Sequence, residues 1–145
     1  AYPTETCIQQ RIEETAAKLP HQVAVQSEQG FTLPTELTFA ELNAHANQLA
    51  HWLVKQGVRP DSRVAVSLER SSELVVALVA ILKAGGAYVP MDPGYPEDRL
   101  EYMVQDSQPV VLITTNELRS RLGAIPESIQ VVNFAGELPW ASEST

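Results

Sequence analysis

Cysteine occurs once in this 145-residue chain, at Cys7, so no internal disulfide can form and nothing in the cysteine usage points to secretion. Basic residues are also scarce: ten Lys and Arg stand against 18 Asp and Glu, for a net charge of -8. They are scattered along the chain, which argues against nucleic-acid or anionic-membrane partners, since those need clustered cations to displace counterions from phosphates. No apolar run reaches the roughly 18–20 residues of a membrane span, and the amino end lacks a basic-then-apolar signal. A cytoplasmic protein is the expectation. Internal repeats and low-complexity tracts are absent, as are the phosphate-binding patterns GxGxxG and GxxxxGK. What remains, 44% hydrophobic and 19% charged residues, is the balance of one soluble globular unit.

The hydrophobic spacing alternates between two periods. Thr6 to Lys18 reads as an amphipathic helix with Ile8, Ile12 and Ala16 on one side. Val23 to Val25 reads as a short strand, and Ser27 to Glu36, with Gly30 and Pro34, as a hairpin-like excursion. Thr38-Phe39-Ala40-Glu41 has the form of a capping box, in which hydroxyl and carboxylate each take a backbone N–H at the start of a helix. Phe39, Leu42, Ala46, Leu49 and Leu53 give that helix one apolar stripe, and Gly57 is placed to end it in a left-handed cap.

A turn at Pro60-Asp61 leads to a strand at Arg63–Leu68. Ser71 and Ser72 offer an N-cap, with Glu73 placed in the first turn to complement the helix dipole. Every residue from Leu74 to Leu82 is Leu, Val, Ala or Ile, so this helix needs cover on more than one side. Gly85-Gly86 ends it, and Ala87 to Val89 forms the next strand. Pro96 suits a first helical position, and Leu100, Met103 and Val104 supply the buried face of the helix that follows. Val110 to Thr114 is nearly all apolar, the mark of a strand covered on both faces. A short helix near Glu117 to Leu122, a strand at Gln130 to Phe134, and a polar, disorder-prone tail from Gly136 to Thr145 complete the chain. Strands alternating with helices from Arg63 onward predict an α/β fold with a mainly parallel sheet and right-handed crossovers.

Chemistry-bearing residues are few, and each has a structural explanation. Gly85-Gly86 closes a helix and precedes a strand, the reverse of a phosphate cradle, in which glycines follow a strand and open a helix. His45 and His51 are six apart, where two ligands on one helix face want a separation of three or four, and His21 lies far from both in sequence. Ser71 and Ser72 have no neighbouring base and serve better as caps. Glu97, Asp98 and Glu101 fall in the first turns of a helix, where acids are expected. Cys7 has no adjacent base or cation to activate it. These residues assign no catalytic, cofactor-binding or metal-binding position.

Three stretches nevertheless carry a resemblance. Leu82 to Asp92, reading LKAGGAYVPMD, is similar to the second core motif of the adenylation domains of nonribosomal peptide synthetases, LKAGxAYVPxD, with Met91 in place of the usual Ile, Leu or Val. Leu37 to Leu42 resembles the first core motif, L(T/S)YxEL, with Phe39 for Tyr. Asp92-Pro93, Tyr95-Pro96, Arg99, Met103 and Asp106 follow the course DPxYPxxRxxxMxxD. The resemblance implies a partial three-layer α/β/α subdomain, with residues 1–135 as an incomplete amino-terminal portion of the large adenylation subdomain and 136–145 as its tail.

For the parent protein the resemblance implies an ATP- and Mg2+-dependent ligase. Such an enzyme forms an aminoacyl-adenylate and loads it onto the phosphopantetheine thiol of a carrier-protein domain. It transfers no catalytic residue here, because the Lys-bearing phosphate loop, the pocket residues and the catalytic Lys match nothing in this sequence; Lys18, Lys55 and Lys83 fit none of those motifs. The segment alone is expected to be inactive and to bind no cofactor. With the Leu74–Leu82 helix uncovered, it is expected to self-associate or to be only marginally stable. The alternative reading is a free-standing, non-catalytic α/β interaction module derived from the same fold. A coding sequence continuing past Thr145 should carry a Ser/Thr/Gly-rich loop with a lysine within a few tens of residues, and sequencing the parent gene checks this.

Overall fold

The computed structural model describes residues 12–26, 36–69, 71–120, 122, 125–133 and 143. Ile8, Cys7, the excursion over 27–35, Phe134 and the tail apart from Glu143 lie outside the described residues. A helix over residues 12–18 (α1) leads into β1 (Val23–Gln26), which pairs antiparallel with β2 (Glu36–Thr38). There follow α2 (Phe39–Lys55), β3 (Arg63–Val66), α3 (Ser72–Lys83), β4 (Ala87–Pro90), α4 (Glu97–Ser107), β5 (Val111–Thr114), α5 (Asn116–Arg119) and β6 (Gln130–Asn133). The last four strands form one parallel sheet in the order β4-β3-β5-β6.

Because β3 leads outward to β4 and the chain then crosses back to β5, right-handed connections put α3 and α4 on opposite faces. The two cores show this. Val64, Val66, Val111, Ile113 and Val132 pack with α2 and α3, whereas Ala65 and Leu112 pack with Leu100 and Val104 of α4. All four residues of β5 are buried, so the chain covers both faces of that strand itself. The result is the three-layer α/β/α arrangement that the resemblance implies, built on the parallel sheet expected from the alternation.

Each helix begins and ends for a local reason. At α2 the capping box is complete: Thr38 N–H donates to Glu41 Oε1 at 2.9 Å, and Glu41 N–H to Thr38 Oγ1 at 3.2 Å. The remaining first-turn donors are taken by the preceding turn, Phe39 N–H by the Gln22 carbonyl and Ala40 N–H by that of Pro20. Leu42, Ala46, Leu49 and Leu53 are buried, joined by Ala50 and Trp52, while Phe39 is half-buried. Pro96 is the N-cap of α4 rather than its first helical residue, because its ψ of 149° is still extended.

Helices α2 and α3 stop by the same device. Gly57 (φ 104°) donates to Val54 O, and Val58 to Leu53 O; Gly85 (φ 83°) donates to Leu82 O, and Gly86 to Ile81 O. In both cases a glycine in left-handed backbone lets two N–H groups satisfy carbonyls that the last turn leaves open. The two ends then meet. A Cβ on Gly86 would lie 3.2 Å from the Ser62 carbonyl oxygen and 3.3 Å from Val58 Cγ1. Ala87 N–H donates to that same Ser62 carbonyl, and Asp61 N–H, in a turn with φ 69°, donates to Gly85 O.

This junction sets the register of β4. Ala87 and Met91 donate to Ser62 and Val66, so the alternate residues Tyr88 and Pro90 turn their nitrogens to the free edge. The proline of the motif therefore sits where its missing N–H costs no ladder bond, and it blunts the sheet edge. Replacing Gly85 by Ala should destabilise the chain by about 1–2 kcal/mol through backbone strain. Thr38→Ala should cost about 1 kcal/mol through the lost cap. Urea unfolding monitored by circular dichroism measures both.

Candidate functional site

Six polar residues are buried among the described residues: Ser67, Ser71, Ser72, Glu73, Thr114 and Thr115. All lie at or just beyond the carboxyl ends of β3 and β5, or at the starts of the helices that follow. These two strands flank the point where strand order reverses, the position at which open α/β sheets form ligand crevices. Three of the six, Ser71, Ser72 and Glu73, read from sequence as the start of a helix. Ser71 Oγ accepts from Leu74 N–H at 3.3 Å and donates to the Glu69 carbonyl at 3.0 Å, so its hydroxyl is committed to the helix start and has no base to free it as a nucleophile. Glu73 stands in the first turn as expected, yet it is fully buried. Thr115 caps α5 through Leu118 N–H at 3.4 Å. Ser67 and Thr114 carry no signal in the sequence, where each reads only as a polar residue of a largely apolar strand.

On the α3 side of the same edge lies an open groove of about 420 Å³. Its walls include Leu74 and Leu78 of α3 and Tyr88 and Pro90 of β4, with Glu69 and Asp92 also contributing. Asp92 belongs to the motif; its Oδ1 accepts from Gly94 N–H at 2.8 Å, making a turn rather than a catalytic contact. Tyr95 also lines the groove, and the Arg99 guanidinium carbon lies 4.0 Å from the centre of its ring, which accounts for two further motif residues. Nothing in the structure explains the exposed Asp106.

The other candidate residues take structural places. Gly85 and Gly86 close α3, as the order of elements implied. Lys83, inside the motif, lies with its side chain 6% exposed and pairs with Glu13 of α1, tying that helix to the end of α3. Lys55 pairs with Glu143 at 2.7 Å, and Gln48 Nε2 donates to the Glu143 carbonyl at 3.1 Å. Lys18 is exposed on α1, and Glu97, Asp98 and Glu101 line the start of α4. His21 and His51 are exposed and His45 is half-buried. Among the described residues no three His, Cys, Asp or Glu side chains gather into a group able to hold a metal ion. No helix among them is long and apolar enough to cross a membrane.

The family model described as AMP-binding enzyme matches residues 12–143. The chain belongs to the AMP-binding enzyme family. It is 44% identical over 126 residues to tyrocidine synthase 3 of Brevibacillus parabrevis, covering 87% of this chain and 2% of that protein. It is 42% identical over 137 residues to bacitracin synthase 1 of Bacillus licheniformis, covering 94% and 2%. Among solved structures, the AMPPNP-bound nonribosomal peptide synthetase FmoA3 superposes with a TM-score of 0.78 at 30% identity, over 94% of this chain and 14% of that one. VinN superposes at 0.75 with 22% identity, a likeness of fold. The chain is thus homologous to part of a nonribosomal peptide synthetase adenylation domain and spans a small share of its relatives.

The family name implies a nucleotide, and the described residues do not build a cradle for one. The paired glycines present the carboxyl end of α3, whose carbonyls repel phosphate, and Glu73, the one buried acid among the described residues, stands at its amino end. No chemical step through a nucleotide follows from these residues.

Two groups give this part of the chain a pH response. Hydrogen bonds from Thr38 hold the Glu41 carboxyl below its usual range, and burial pushes the His45 imidazole below its usual value against the pull of Glu41. Both groups take up protons less readily in the folded state. Their contributions are therefore present above the unfolded pKa values, roughly 6.5 for His and 4.3 for Glu, and are lost as pH falls below each. His45→Gln should flatten the decline in unfolding free energy that begins below about pH 6.5, leaving the Glu41-dependent decline at lower pH. Urea titrations at each pH provide the comparison.

Proposed function

We propose that this chain is the amino-terminal part of an amino-acid-activating adenylation domain. In this reading the parent protein joins an amino acid to ATP, releases pyrophosphate, and passes the acyl group to the phosphopantetheine thiol of a carrier domain, working in the cytoplasm with Mg2+. The observation that supports it most is the stretch from Leu82 to Asp92. Its lysine, two glycines and proline each answer a need of the fold, and the stretch resembles that of the amino-acid-activating branch. The identity to peptide synthetases over most of the chain supports the same reading.

Within that enzyme the segment acts as scaffold. It supplies the edge of a parallel sheet, with residues 1–135 belonging to the large subdomain, and it presents an apolar stripe to be covered by the rest of the domain. Leu74, Val75, Leu78 and Leu82 remain half-buried on α3, while Val76, Ala77, Val79, Ala80 and Ile81 are buried. Tyr88, beside that stripe across the groove, is 46% exposed. Leaving a few hundred Å² of such surface open costs several kcal/mol at about 25 cal/mol per Å², enough to favour self-association of the segment in isolation.

Two measurements test the proposal. Amino-acid-dependent exchange of labelled pyrophosphate into ATP should be clear for the larger protein and at background for the 145-residue chain. Exchange by the short chain, lost on mutating one of its lysines, would overturn the scaffold role; absence of exchange by the larger protein with every amino acid would overturn the activity. In light scattering, the short chain should form dimers or larger species, and Leu74→Glu with Leu78→Glu should return it to monomer.

A further inference from the structure

Strands β3 and β5 run side by side with Val66 opposite Ile113, and Ser67 N–H donates to the Ile113 carbonyl at 2.9 Å. Ser67 lies just past the end of β3, and the same register carried one step further sets it opposite Thr114. Side chains alternate between faces along a strand. Val66 and Ile113 point into the core beneath α2 and α3, and Ala65 and Leu112 into the core beneath α4, so Ser67 and Thr114 both turn toward α4. The two are 1% and 0% exposed. Neither hydroxyl has a hydrogen-bond partner among the described residues. Just past the end of β4, Met91 donates its N–H to Val66 and is buried in the same core, and its thioether is only a weak acceptor.

Facing hydroxyls on adjacent strands can bond directly or through one intervening atom, and in this structure the two do not bond each other. Two orphaned hydroxyls on one buried rung would each carry the cost of an unsatisfied polar group. A metal ion would want more oxygens than this pair supplies, and two neutral hydroxyls do not balance an anion. Water, which both donates and accepts twice, suits two rotatable hydroxyls in any orientation.

We propose that Ser67 and Thr114 hold one water molecule between their hydroxyls, at the reversal of strand order. The bridge ties β3 to β5 one rung beyond the strands' own pairing. It also steadies the departure of the chain into the Ser71 and Thr115 caps.

The test is a double-mutant cycle read by thermal unfolding of the chain, with Ser67→Ala, Thr114→Val and the pair together. A shared water predicts that each single change lowers the midpoint and that the double change lowers it by less than the sum, because the second removal takes away a bridge already broken. Thr114→Ser, which keeps the hydroxyl, should remain coupled to Ser67. If each single change raises the midpoint and the two add, the hydroxyls are dry and independent, and the proposal fails. A crystal structure of the unmutated protein, fine enough to show waters, decides the matter even if a variant does not fold. An oxygen peak within hydrogen-bonding distance of both side chains supports the bridge; a dry rung, or a protein group in that place, overturns it.

Discussion

The absence of a side chain at Gly86 is the constraint on which the rest of this fold turns. It allows the end of α3 to lie against the Ser62 carbonyl and Val58, so that the exits of α2 and α3 share one junction. From there Ala87 bonds to the same carbonyl, and β4 runs beside β3 in a single register. A shift of one residue would turn Met91 and Val89 from the core under α4 to the opposite face and would point the nitrogen of Pro90 into the ladder. The motif therefore works as a unit. The glycines set the register, the register puts the proline at the edge, and the edge position makes the proline tolerable.

The polar residues follow a matching logic. Parallel strands buried on both faces have no place for polar side chains along their length. Such groups gather where the strands end and helices begin, because there the backbone offers unpaired donors. Ser71 and Thr115 use those donors as helix caps. Ser67 and Thr114 stand between the last paired rung and the helix caps, where neither hydroxyl meets a partner among the described residues. The carboxyl edge is thus the polar end of an otherwise apolar layer.

Belonging to the AMP-binding family does not by itself place chemistry on these residues. The motif residues with defined contacts serve the fold: Lys83 ties α3 to α1, Asp92 closes a turn, and Tyr95 stacks with Arg99. A register that depends on particular glycines and prolines constrains the sequence of a scaffold on its own account.

Much of this was legible in the residues alone. The capping box at Thr38, the helix stops at Gly57 and Gly85, the apolar stripe of α2 and the doubly covered β5 all follow from local stereochemistry and hydrophobic period, which act over a few residues and need no knowledge of distant ones. Other features arise only when distant segments meet. Sequence could not say that Glu73 would be buried, because its position in a first turn is the same whether that turn faces solvent or a strand end. It also could not pair Ser67 with Thr114, 47 positions apart, since their meeting depends on β5 crossing back to lie beside β3. Nor could it tell that Lys83 reaches Glu13, or that Pro90 faces outward. Local chemistry determined which elements form and where they stop; strand order and register decided which side chains share a space.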